Sequence, residues 1–206
     1  MFGGANRNLF EGELKIIPLT HATCNRPDKY SGLFNDFESG WQVAMKSLAA
    51  DTLKFDLTGY VAIISTAFPT IALPEHMARE LFVLLNSTVY LEDWAMFDCD
   101  ERKKLPDLIV RLGVDGTVPL TISPWHYVSE IKGDTDDEFI CFLPLANQQP
   151  DDCPNHIELG SAFLRGVYSV FDQDEETISC MFSSHFCQCQ YTNLGTVAQL
   201  KGDIPE

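Results

Sequence analysis

Basic residues are scarce in this sequence: 14 Lys+Arg stand against 30 Asp+Glu in 206 residues, for a formal net charge of −16. A chain this acidic repels phosphate backbones, which argues against nucleic acid as a partner. Binding to a membrane surface through basic residues is disfavoured for the same reason. No apolar run approaches the ~18 residues of a spanning helix, so no membrane span is expected. The first residues lack a basic region, an apolar stretch and a cleavage site, so no secretory signal is expected within the chain. Metal-ligand spacing is missing too. Cys187-Gln188-Cys189 is not a C-x-x-C pair, and no second Cys/His pair accompanies it. The five histidines (His21, His76, His126, His156, His185) are scattered, and the position four after His76 is Glu80. The acids Asp172, Asp174, Glu175 and Glu176 lack the EF-hand pattern. The sequence therefore predicts no metal and no cofactor.

What is present describes a globular chain. Hydrophobic residues make up 45% and charged residues 21%, and the length suffices for one large domain or two small ones with a buried core. Seven cysteines (Cys24, Cys99, Cys141, Cys153, Cys180, Cys187, Cys189) are an odd number. They read as disulfides plus a free thiol in an oxidising compartment, or as buried unpaired thiols. Asn86-Ser87-Thr88 is a glycosylation sequon, usable only if the chain is secreted.

Glycine and proline punctuate β-branched and aromatic runs, and the expected class is mainly β. Residues 14–19 read as a strand, with Pro18 pointing to an edge or a bulge. Residues 41–45 alternate, and the apolar run 61–64 suits a buried strand. Residues 108–112 and 117–122 flank an Asp115-Gly116 turn and predict a β-hairpin. Residues 139–143 and 167–172 add two more strands. From Pro74 to Asn86 the apolar residues Met77, Ala78, Leu81, Phe82, Leu84 and Leu85 recur at helical spacing, with Pro74 suited to the first turn. The stretch 130–152 carries Glu130, Asp134, Asp136, Asp137, Glu138, Asp151 and Asp152 and reads as solvated loops flanking a strand. Residues 1–180 are expected to form one unit and 181–206 a loosely attached tail.

Several segments in order resemble the C-terminal lobe of pepsin-like aspartic proteases, the A1 peptidase family. Phe2-Gly3-Gly4, Phe10-Glu11-Gly12-Glu13-Leu14 and Ile17-Pro18-Leu19 resemble the entry into that lobe. Gly40-Trp41-Gln42-Val43 resembles its Tyr-Trp-Gln-Ile strand. Residues 62–74, Ala-Ile-Ile-Ser-Thr-Ala-Phe-Pro-Thr-Ile-Ala-Leu-Pro, lie on its Asp-Thr-Gly-Thr-Ser/Thr active-site segment. Cys99 through Leu105-Pro106-Asp107-Leu108-Ile109-Val110 resembles its "C…L-P-D-I-x-F" hairpin. Residues 156–165 running into 168–172 resemble "I-L-G-D-x-F-L-R…Y-x-V-F-D". The resemblance covers residues 2 to 180. It implies the acid-protease β fold with one or two short helices, and it matches Cys99 and Cys141 to the lobe's usual disulfide.

The departures set the functional expectation. Peptide hydrolysis in this family needs one aspartate from each of two lobes, the pair sharing a proton so that one acts as base and the other as acid. By the resemblance, Ser65 occupies the aspartate position, Thr66 is retained, Ala67 replaces glycine, and Phe68 and Pro69 replace small hydroxyl residues. No catalytic residue is then intact, and the chain reads as a non-catalytic, single-lobe homologue. A homodimer would bring together two copies of Ser65 and no acid. Serine catalysis would need a base partner and a G-x-S-x-G elbow, which the spacing does not provide. The surviving half-cleft would consist of Trp41, Ile63, Thr66, Phe68 and Pro69, with the loops around Ser123 to Tyr127. The resemblance implies an N-terminal lobe or an extended peptide as partner. Rival readings are one part of a longer two-lobed polypeptide or heteromer, a peptide-binding or protease-masking module, and an accessory product of a fungal-type metabolic gene cluster. The pairing of the remaining cysteines stays open.

Overall fold

β-branched and aromatic runs become strands along most of the chain. The computed structural model describes residues 5–10, 12–20, 41–90, 94–132, 139–148 and 155–182. Its strands are β1 (Lys15–Pro18), β2 (Gln42–Ala50), β3 (Leu53–Ile64), β4 (Ile71–Pro74), β5 (Thr88–Tyr90), β6 (Trp94–Phe97), β7 (Leu108–Leu112), β8 (Val118–Ile122), β9 (Ser129–Lys132), β10 (Phe139–Leu143), β11 (Leu145–Gln148), β12 (His156–Leu159), β13 (Val167–Asp172) and β14 (Thr177–Phe182). Helix α1 (Glu75–Leu84) and the single turns α2 (Pro124–Tyr127) and α3 (Ser161–Leu164) lie between them. The fold is mainly β, consistent with the pepsin-like β fold.

Three sheets result. The largest has seven strands in the order β11-β4-β12-β3-β2-β7-β8. The second runs β5-β6-β10-β9 and the third β1-β14-β13. The predicted hairpin is β7–β8, whose burial alternates along each strand, so one face enters the core. Its connection is five residues long because Leu112 pairs with Val118, and Gly113 and Gly116 turn it at φ 87° and 63°. Pro18 lies on an edge strand, where its missing N–H costs no ladder bond.

One apolar cluster, from Ile17 on β1 to Cys180 on β14, unites the sheets. α1 buries Met77, Ala78, Leu81 and Phe82 and packs on β3, β4 and β11. Met77, Leu81 and Phe82 each contribute about 1.5–3 kcal/mol when removed from water. The helix begins one residue later than the sequence suggests. Pro74 has φ −51° and ψ 141°, and it ends β4 as the partner of Gln148. β14 pairs with β1 on one side and, as far as Met181 and Phe182, with β13 on the other.

Cys99 and Cys141 form a disulfide with Cα atoms 5.1 Å apart, closing a separation of 42 residues. It joins the 3-10 helix Cys99–Lys104 to β10. Arg102 from that helix is almost buried, pairs with Glu130 of β9 and donates to Cys141 Sγ at 3.0 Å. Its guanidinium also lies 5.0 Å from the ring centre of the exposed Trp125. Two residues of the acidic stretch thus enter this packed corner. Cys180 is buried and free, and burial pushes its thiol up to about 11.

Phe2, Gly3, Gly4, His21, Cys24, Gly40, Cys153, His185, Cys187 and Cys189 lie outside the described residues, as do Asp134, Asp136, Asp137, Glu138, Asp151 and Asp152. No helix among the described residues is long and apolar enough to cross a membrane.

Candidate functional site

The segment carrying the active-site resemblance is a loop thrown across the end of a strand. β3 runs parallel to β12, which is antiparallel to β4, so β12 lies between the two strands that residues 65–70 connect. The chain leaves β12 through Gly160 and passes beneath the loop. Gly160 N–H donates to Thr70 O at 3.0 Å, Ser161 N–H to Phe68 O at 2.7 Å, and Ala162 N–H to Pro69 O at 3.2 Å. Ser161 Oγ also donates to Pro69 O at 3.2 Å. The loop carbonyls thereby satisfy N–H groups at the start of α3, which has no side-chain cap.

Only glycine fits at this crossing. A Cβ on residue 160 would lie 2.3 Å from Phe68 O and 2.4 Å from Thr70 O, well inside contact distance. Pro69 fits for a complementary reason. Its place in the loop calls on its carbonyl as an acceptor, and it has no N–H to leave unpaired.

Ser65 sits where β3 ends. Its N–H donates to Leu159 O at 3.3 Å, and its Oγ accepts from Ala67 N–H at 3.2 Å. It is half-buried, Thr66, Ala67 and Pro69 are exposed, and Phe68 is half-buried. Among the described residues, no histidine and no carboxylate hydrogen-bonds to Ser65 Oγ, and residues 61–74 contain no acid. The hydroxyl can accept and donate a hydrogen bond. It cannot carry a proton back and forth near working pH.

Trp41 approaches the root of the loop through its backbone, accepting from Ile64 N–H at 2.9 Å. Its ring meets Phe171 of β13 edge-on at 5.0 Å, linking the seven-stranded and three-stranded sheets. The structure therefore brings Trp41, Ser65, Thr66, Phe68 and Pro69 to one end of the β3–β12–β4 unit. Ile63 departs from the expected half-cleft. It is only 5% exposed, because it stands in a buried row with Gln42 of β2, Glu158 of β12 and Ala72 of β4.

The loop around Ser123 to Tyr127 is α2 with its entry. Ser123 Oγ and His126 Nδ1 are 2.9 Å apart, and the His126 ring packs on the bare face of Gly166. Burial holds His126 below its ordinary value, Arg165 adds to this and Asp107 opposes it. Tyr127 is fully buried and donates to Pro106 O at 2.8 Å, and burial raises its phenol well above the usual range. These contacts are architectural, and none reaches Ser65.

Among the described residues, Cys99, Glu130 and Cys141 are close enough together to suggest a metal. Their sulfurs are bonded to each other, and Arg102 already takes the Glu130 carboxylate, so they present no donor set. Sequence reasoning missed the roles of Gly160, Ser161 and Thr70. A lone glycine between a strand run and a short apolar turn was the available signal. It also missed the buried row of Gln42 and Glu158, which apolar patterning cannot reveal.

A family model for eukaryotic aspartyl proteases matches residues 1–181. The chain is 28% identical to vacuolar protease A of Aspergillus fumigatus over 171 residues, which is 83% of this chain and 37% of that protein. It is 24% identical to the vacuolar aspartic protease of Candida albicans over 177 residues, 86% of this chain and 36% of that one. It is 28% identical to rat cathepsin E over 181 residues, covering 86% and 39%. The chain thus spans well under half the length of the curated relatives it matches. The chain belongs to the eukaryotic aspartyl protease family.

Proposed function

We propose that this chain is an aspartic-protease lobe that does not hydrolyse peptides on its own. Ser65 is taken to stand at the position of the lobe's catalytic aspartate. The observation that carries the reading is the end of β3, where a serine hydroxyl, and no carboxylate, receives the Ala67 N–H. A proton-sharing dyad needs two acids held close enough to force their pKa values apart. This lobe contributes none in residues 61–74, and a second copy would add none. What remains is a shaped loop beside Trp41 and Phe68, suited to holding an extended peptide by apolar contact and strand pairing.

The purified chain is to be incubated with a denatured protein at acid pH, with and without pepstatin. The reading predicts no pepstatin-sensitive cleavage, in the wild-type chain or in Ser65→Ala. Pepstatin-sensitive cleavage that follows the chain through purification and disappears in Ser65→Ala would overturn it. Peptide binding is checked by titration. Saturable binding weakened by Phe68→Ala supports the half-cleft, and binding unaffected by that change removes it.

A further inference from the structure

We propose that Asn86 carries an N-linked oligosaccharide. Asn86-Ser87-Thr88 is the only Asn-x-Ser/Thr triplet in the 206 residues. The structure puts its acceptor at the surface, just beyond the end of α1. Leu85 N–H donates to Leu81 O at 2.9 Å, Asn86 N–H to Val83 O at 3.1 Å and Ser87 N–H to Phe82 O at 3.1 Å, which closes the helix. Asn86 takes φ 48°, the left-handed conformation that asparagine tolerates at a helix end. Its backbone is thus committed to the turn while its side chain is exposed.

The helix end alone explains an asparagine at 86, but it does not call for a hydroxyl at 88. Thr88 belongs to β5 and pairs with Met96, and the backbone hydrogen bonds that close the helix end at Ser87. The triplet thus has a residue that capping leaves unexplained and that oligosaccharide transfer requires. A second feature points to the same compartment. The Cys99–Cys141 disulfide forms where thiols are oxidised, and N-glycosylation occurs on chains passing through such a compartment. A glycan at Asn86 would also stand beside Val83, which is 82% exposed at the end of the helix.

The co-substrate is an oligosaccharide linked through a diphosphate to a polyisoprenyl lipid. The Asn86 amide nitrogen attacks the anomeric carbon of its first sugar. A nitrogen–carbon bond forms, the bond from that carbon to the diphosphate oxygen breaks, and the lipid diphosphate leaves with the electron pair. The amide gives up one proton to a base of the transferase. No oxidant or reductant is needed.

The test directs the full chain into the secretory pathway of a eukaryotic host and measures its mass before and after peptide-N-glycosidase. Both the secreted and the intracellular membrane fractions are measured, so a variant that fails to leave the cell is still scored. The wild-type chain should lose the mass of one oligosaccharide, with aspartate left at position 86 in the peptide map. Asn86→Gln and Thr88→Ala should abolish the shift, and Thr88→Ser and Ser87→Ala should retain it. A wild-type chain that is disulfide-bonded yet has the mass of the bare polypeptide would overturn the proposal. So would an oligosaccharide that persists in Asn86→Gln.

Discussion

At residues 65–70 the backbone does the holding, whereas at the Cys99 corner the side chains do it. The carbonyls of Phe68, Pro69 and Thr70 grip the chain at Gly160, Ser161 and Ala162, and most side chains of the loop are free of that grip. At the other corner a disulfide, a nearly buried Arg102, Glu130 and Trp125 define the shape between them. The difference teaches that a loop can owe its form to its backbone, whereas a corner can owe its form to its side chains. A loop held by carbonyls tolerates new side chains, while a corner held by side chains does not.

Substitutions can break this contrast at either end. The largest effect is expected from Cys99→Ala with Cys141→Ala. Opening a crosslink that spans 42 residues should cost about 4 kcal/mol, read as a lower denaturation midpoint. Next is Gly160→Ala, at about 3 kcal/mol, because the new methyl meets two carbonyl oxygens that cannot retreat without giving up α3. A midpoint unchanged by Gly160→Ala would show that the crossing is looser than described.

A smaller effect comes from His126, which packs on Gly166 and titrates below the ordinary 6.5. As pH falls through 6.5 the unfolded chain takes up the proton first, so stability held above that pH is lost between 6.5 and the lower folded value. Stability measured against pH should therefore decline over that window, and His126→Gln should flatten the decline. The smallest effects belong to the loop side chains. Ser65→Ala and Thr66→Ala should each change stability by about 1 kcal/mol or less, since each removes at most one half-exposed hydrogen bond. A large loss in either variant would mean that side chains hold the loop after all.

The sequence made the strands of the large sheet readable wherever apolar residues ran or alternated, as in Val61–Ile64 of β3 or the β7–β8 hairpin. It also made α1 readable through Met77, Ala78, Leu81 and Phe82. β4, β9 and β12 were harder to see, because each is four residues long and too short for a period to declare itself. β14 runs on to Phe182 because Met181 and Phe182 pair with Tyr168 and Val167 of the preceding strand, a pairing that an apolar run alone does not declare. At the site, the motif order led to the loop that begins at Ser65. The burial of Ile63 was not plain, because both faces of β3 are covered at its C-terminal end and an apolar run does not say which face meets a ligand. The work of Gly160 was invisible for a simpler reason. A glycine records what its surroundings exclude, and those surroundings come from a loop ninety-odd residues earlier.

The loop holds its hydrogen-bonding geometry around a serine at position 65. Placing a carboxyl there tests this most directly, by Ser65→Asp and an NMR titration of the new side chain. The Ala67 N–H now given to Ser65 Oγ should stabilise the ionised carboxylate. Among the described residues no carboxylate hydrogen-bonds to that position, so the group should titrate below the ordinary aspartate value of about 3.9. A value at or above that figure would contradict the claim that the loop still presents its N–H to an acid at position 65.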